Sequence, residues 1–200
     1  MSPNKIVITG TIGSGKSAVS EIIKNLGFSV INADFVNKKL LKKGGENYEA
    51  IKADPFFRKA FKGDMLDKKK LAKMIFQAPD LMKRLNSLTH PIIVREIEKE
   101  ISQIKEDYVF VEIPLYYQME VKFPADLVLF VEASDDIQAE RLSIRDGIGS
   151  FYAQSKIKNQ ENLMGERDEG EIIIKNNGSL EELRKEVIKI LRMEKIYENN

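Results

Sequence analysis

The chain contains no cysteine, which excludes a disulfide scaffold, thiolate metal sites and thiol nucleophiles and suits a reducing compartment, the cytosol by default. It also lacks an excess of either charge, since Lys and Arg number 32 against 31 for Asp and Glu, a net charge of +1. No global field draws nucleic acid or an acidic membrane surface, so any anion must be gripped locally. Long apolar runs are missing too. Met1-Ser2-Pro3-Asn4-Lys5 has no apolar signal-peptide core, and the best apolar stretches are short and carry Glu112 or Glu132, far below membrane-spanning length. A soluble protein without repeats or low-complexity segments is expected.

What is present is 200 residues, 42% of them hydrophobic, enough for the core of one globular unit. Lys5 to Thr9, Phe28 to Ile31, Tyr108 to Ile113 and Leu127 to Val131 are nearly continuous in Val, Ile, Leu or Phe, as suits strands buried on both faces of a parallel sheet. A weaker fifth run, Glu171 to Lys175, closes on Asn176-Asn177-Gly178, after which Ser179 and Glu182 form the signature of a helix start running to about Met193. Helical patterns occupy Ser17 to Leu26, closed by Gly27, and Asp135 to Arg145, whose acidic start favours a helix N-terminus. Strand and helix alternate, so the fold class is α/β.

Asn37 to Glu106 carries no strand signal and interposes several helices, punctuated by Pro55, Pro79 and Pro91. It reads as a helical insertion suited to holding a substrate. Gly147 to Gly170 is polar and bounded by glycines; a lid and a surface helix with loops both fit its composition.

Gly10-Thr11-Ile12-Gly13-Ser14-Gly15-Lys16-Ser17 satisfies the pattern G-x-x-x-x-G-K-S/T, follows the strand Ile6-Val7-Ile8 and opens a helix, the context this phosphate-binding loop requires. Its glycines turn successive N–H groups inward, and the helix presents its positive end to phosphate oxygens. Lys16 then neutralises the β and γ phosphates of ATP, and Ser17 offers a hydroxyl to Mg²⁺. Asn-Lys-x-Asp is absent, which argues against a GTPase.

Asp34 falls just beyond the second strand, whose C-terminal end belongs on the ligand-binding edge of a parallel sheet. A carboxylate there can orient an acceptor hydroxyl and take its proton late, because phosphoryl transfer through a loose transition state asks little base strength. It can equally cap the following helix. Glu112, ending the third strand, suits a water-mediated Mg²⁺ contact or a solvated strand end. Arg141 and Arg145 share one helical face at i, i+4, either as phosphate contacts or as a solvated stripe paired with Glu140 or Asp146.

Thr9 to Ser17, Leu26-Gly27-Phe28 and Val30-Ile31-Asn32-Ala33-Asp34 together resemble the opening of the dephospho-CoA kinase family. The likeness continues through Leu66-Asp67, Leu71, Ile75-Phe76, Leu85-Asn86 and His90-Pro91-Ile92, then Pro114-Leu115, Asp126, Gln138, Arg141, Arg145-Asp146-Gly147, Gln160 and Asn177-Gly178-Ser179. It spans about residues 5 to 190.

The resemblance implies a P-loop NTPase fold: a five-stranded, mostly parallel sheet flanked by helices. The core would comprise residues 1–36, 107–146 and 171–200, with a helical CoA-binding insertion at about 37–106 and a lid at about 147–170. It implies transfer of the ATP γ-phosphate to the 3′-hydroxyl of dephospho-CoA, with Asp34 as base, Lys16 and Arg141 on the phosphates, and Ser17 and Glu112 at Mg²⁺. It further implies Arg145, Asn177 and Gly178 at the nucleotide, the last two beside adenine, and His90, Pro114 and Leu115 at the acceptor. His90 is the sole histidine, and a packed loop residue is its other reading.

The chain departs from the family pattern at Thr11 (usually Gly), Asn32 (often Asp), Glu112 (usually Asp), Leu115-Tyr116-Tyr117-Gln118 (Leu-Leu-Phe-Glu) and Lys156 (often Arg). Two rivals follow. A nucleoside monophosphate kinase needs several arginines around its acceptor, yet Asn37 to Glu106 holds only Arg58, Arg84 and Arg95. A nucleotide-sensing module that has lost turnover would explain the departures. The expected partner is dephospho-CoA, with neither nucleic acid nor membrane, and the expected state is a monomer or weak homo-oligomer.

Overall fold

The computed structural model describes residues 2–76, 78–119, 121–163 and 170–198. The chain opens with β1 (Asn4–Gly10), α1 (Lys16–Asn25), β2 (Ser29–Asn32), α2 (Ala33–Leu40) and α3 (Glu46–Ala53). A short hairpin, β3 (Phe61–Lys62) and β4 (Met65–Leu66), precedes α4 (Lys68–Phe76) and α5 (Pro79–Ile101). Then come β5 (Tyr108–Glu112), β6 (Leu127–Glu132), α6 (Asp135–Asp146), α7 (Ser150–Leu163), β7 (Ile172–Lys175) and α8 (Leu180–Met193). The chain divides into two units, a sheet-bearing one that ends at Asn32 and resumes over Ile104–Gln118 and from Pro124, and a helical one of Ala33–Gln103 with Met119–Phe123.

In the sheet-bearing unit the strand order is β2-β5-β1-β6-β7, and each pairing is parallel. Parallel neighbours need crossovers, which is why each apolar run is separated from its spatial neighbour by helix. The register aligns the strand ends: Ile8 lies opposite Glu112, Asn32 opposite Glu112, and Gly10 opposite Val131. One edge of the sheet therefore collects the residues that follow the strands.

Pleating sends Ile6 and Ile8 of β1 into a cluster with Phe110, Leu129, Val131 and Ile174, closed by Val19, Ile22 and Ile23 of α1 and Leu183, Val187 and Leu191 of α8. Each such buried side chain contributes about 1.5–3 kcal/mol relative to exposure. Sequence and structure agree closely at α8, where Ser179 Oγ accepts the Glu182 amide and the Glu182 side chain returns to the Ser179 amide. A second cluster joins Ala139 and Leu142 of α6 to Ala153 and Ile157 of α7. Gly147 ends α6 at φ 63°, a left-handed angle that glycine takes without a Cβ penalty.

The helical unit packs Ile51, Phe57, Ala60 and Leu71 together, with Phe61, Leu66, Leu85 and Leu88 against them. Two features differ from the sequence expectation. The stretch without a strand signal contains β3 and β4, paired antiparallel as Phe61 with Leu66 and Lys62 with Met65; two residues per strand are too few to show an alternation. Pro91 lies inside α5 rather than punctuating it. An internal proline costs about 3 kcal/mol, which the buried face of Thr89, Ile93, Ile97 and Ile101 offsets. His90 is accordingly a half-buried helical residue, not a loop residue.

Candidate active site

The loop between β1 and α1 is shaped by what touches it. A Cβ at Gly10, where φ is 149°, would sit 2.0 Å from the Val131 carbonyl oxygen, so only glycine lets β1 approach β6 there. A Cβ at Gly15, with φ 96°, would sit 2.2 Å from Asn176 Nδ2. Ser14 donates its amide to Thr11 O at 3.2 Å, and Gly15 O accepts the amides of Ala18 and Val19 as α1 begins. Lys16 folds back over the loop, its Nζ donating to Gly10 O at 3.1 Å and Thr11 O at 2.8 Å. The Ile12 amide donates to Gln160 Oε1 of α7.

Two sets of side chains hold this loop. Glu112, at the end of β5 and buried, accepts from Ser17 Oγ at 3.1 Å and from Ser20 Oγ at 2.8 Å. Asn176, buried just past β7, donates Nδ2 to Ser14 O at 2.7 Å, and its backbone amide bonds Glu132 O at 2.8 Å. Arg141 of α6 donates Nη1 to the same Ser14 carbonyl at 3.3 Å and Nη2 to Asn176 Oδ1 at 3.4 Å. Ser14 Oγ and Thr11 Oγ1 are buried without a hydrogen-bond partner among the described residues.

The expected residues are thus distributed unevenly. Gly10, Thr11, Ile12, Gly13, Ser14, Gly15, Lys16, Ser17, Glu112 and Arg141 come together. Arg145 does not join them: it is exposed and donates to Asp146 at 2.8 Å, which Lys156 also meets at 3.0 Å. Those two cations, Arg145 first, hold the Asp146 carboxyl well below the usual carboxylate range. Asn177 is exposed, its Oδ1 accepting the Ser134 amide at 2.8 Å at the start of α6, and Gly178 follows it. Pro114 and Leu115 line a small recess with Thr9, Gly10, Phe130 and Gln160. Asp34, in the first turn of α2, and His90 belong to the helical unit. Of the expected lid, α7 is described and residues 164–169 lie outside the described residues.

Ser20 and Asn176 were not singled out from the sequence. The available signals were the i, i+3 spacing of Ser17 and Ser20 on one helical face and the place of Asn176 as the first polar residue after an Ile-Ile-Ile strand.

Among the described residues, no group of three or more His, Asp or Glu stands close enough to cage a metal. One hydroxyl backed by one carboxylate is instead a hard-oxygen set that fits Mg²⁺ carried on phosphates with water in its remaining positions. Among the described residues, no helix is long and apolar enough to cross a membrane.

A family model described as dephospho-CoA kinase matches residues 5–182. A dephospho-CoA kinase of Carboxydothermus hydrogenoformans is 32% identical, covering 94% of this chain and 92% of its own. One from Streptococcus agalactiae is 36% identical, covering 94% and 97%. The solved dephospho-CoA kinase of Campylobacter jejuni superposes with a TM-score of 0.62 at 26% identity, covering 95% of this chain and 96% of its own.

Proposed function

The chain belongs to the dephospho-CoA kinase family, an ATP-dependent phosphotransferase family, and from that premise we propose how its residues divide the reaction ATP plus dephospho-CoA to ADP plus CoA. The observation that carries the reading is the convergence of Lys16, Ser17, Glu112 and Arg141 on one glycine-shaped loop.

Lys16 and the loop amides hold the β and γ phosphates in line for transfer, and Lys16 leaves its loop carbonyls to do so. Ser17 and, through water, Glu112 would hold Mg²⁺, which would supply positive charge against the phosphates during transfer. Arg141, its side chain steadied by Asn176 and Ser14, supplies positive charge to the transferring group. The acceptor 3′-oxygen attacks the γ-phosphorus as the bond to the β–γ bridging oxygen breaks, and the acceptor proton passes to Asp34.

Asn177 and Gly178 line the adenine side and Arg145 the nucleotide's outer edge. Pro114 and Leu115 lie toward the acceptor ribose, and His90 contacts the pantetheine arm on the helical unit. α7 acts as a lid that excludes water. The helical unit holds few arginines to clamp the terminal phosphate of a monophosphate acceptor: of Arg58, Arg84 and Arg95, Arg84 is engaged by Asp54 and Arg95 by Glu46, which supports dephospho-CoA over a nucleoside monophosphate. The enzyme works in the cytosol as a monomer or weak homo-oligomer, without nucleic-acid or membrane partners.

The test is coupled ADP release with Mg²⁺-ATP and dephospho-CoA, run beside adenosine and AMP, with CoA identified by mass spectrometry. Release specific to dephospho-CoA that collapses in Asp34→Asn while ATP still binds is the expected result. No turnover with dephospho-CoA would leave only a nucleotide-binding module.

A further inference from the structure

We propose that Ser20 is a positioning residue for the metal side of the nucleotide site, locking Glu112 so that Ser17 presents only lone pairs to the cation. The inference rests on the nucleotide-site reading above and extends it to a residue outside the loop. Ser17 and Ser20 lie three apart on the α1 face that meets β5, and Ser20 is 3% and Glu112 5% exposed. A carboxylate this buried is costly unless its oxygens are hydrogen-bonded. Here Oε2 is taken by Ser20 at 2.8 Å and Oε1 by Ser17 at 3.1 Å, so each oxygen has its own hydroxyl.

A serine hydroxyl has one proton and two acceptor lone pairs. While Ser17 donates its proton to Oε1, the side of its oxygen facing the phosphates offers lone pairs alone, the state a cation requires. Released from Ser20, the Glu112 carboxylate can rotate about its last torsion, which is broad for a terminal carboxylate, and the Ser17 hydroxyl can turn its proton toward the metal position. The longer acid makes the lock necessary. Glutamate has one more methylene than aspartate, hence one more rotor to fix, and Ser20, a turn further along α1, fixes it.

Isothermal titration calorimetry on the full chain separates this role from a structural one, using ATP with excess Mg²⁺ and ATP with EDTA. Ser20→Ala is expected to weaken Mg²⁺-ATP about five- to tenfold, the worth of one intramolecular hydrogen bond, while metal-free ATP stays within about twofold. Ser20→Thr, which keeps the hydroxyl, should restore the Mg²⁺-dependent part. In Glu112→Asp, which is too short to span both serines and has no extra rotor to fix, adding Ser20→Ala should cost less than about twofold. Equal weakening of both nucleotide forms, or no weakening of either, would overturn the proposal. Failure of the wild-type chain to bind ATP in either form would instead remove the nucleotide-site reading on which it rests.

Discussion

In the sheet-bearing unit the buried polar residues Thr9, Ser14, Ser20, Glu112, Gln138 and Asn176 gather around one loop, whereas in the helical unit Asn47, Asp54 and Thr89 are dispersed. The second set closes local structure. Asp54 accepts the Phe56 amide at 2.9 Å and Arg84 Nε at 2.7 Å, Asn47 donates to Asn37, and Thr89 bonds Leu85 O one turn back. The first set joins residues far apart in sequence and leaves a cation, a hydroxyl and a guanidinium arranged along the loop. Burying polar groups in the helical unit serves stability; burying them around the loop serves geometry.

Lys16→Ala should draw that line most sharply. Loss of one preorganised cation costs about 10²–10³-fold in kcat/KM, with the melting temperature nearly unchanged, since Lys16 is only half-buried. A fall in stability matching the loss of rate would blur the distinction between the units. Asp54→Ala is the converse. Removing a buried acceptor of a charged hydrogen bond and of one amide should cost about 1.5–3 kcal/mol in urea unfolding, while the KM for ATP of the folded fraction stays the same.

Asn176→Ala tests the middle ground, because it deprives the Ser14 carbonyl and Arg141 of a shared partner. The expected effect is a rise of about tenfold in the KM for ATP, one hydrogen bond's worth; a purely thermal effect would move Asn176 into the structural class.

The smallest effect belongs to Asp64 of the helical unit, held down to about 2 by hydrogen bonds from Lys43 and then Lys52. A depressed carboxyl stabilises the fold above its unfolded pKa and loses that contribution as pH falls through its folded one. Wild-type stability should therefore decline more steeply than that of Asp64→Asn between about pH 4 and 2, by a margin that salt reduces because the group is exposed. Equal slopes would show that these ion pairs carry nothing.

The strands and α1, α6 and α8 were legible because each is encoded by neighbours: apolar runs, a capping box at Ser179 and Glu182, glycines at helix ends. The loop was legible for the same reason, since Gly10 to Ser17 is contiguous and its chemistry is largely backbone chemistry. The β3–β4 hairpin was not, because two-residue strands have no period, nor was the passage of α5 through Pro91, because burial of Ile93, Ile97 and Ile101 decides it.

At the site the division is equally physical. The sequence by itself determined the phosphate loop, Lys16 and Ser17, and the order of strands and helices that the family pattern requires. Only the tertiary structure decided that Ser20 would meet Glu112 across 92 positions, that Asn176 would reach Ser14 across 162, and that Arg141 would turn to the loop while Arg145 turned to Asp146. Contacts of that kind depend on how strands and helices are stacked. Sheet order and register bring such residues together, and no local pattern in the chain records them.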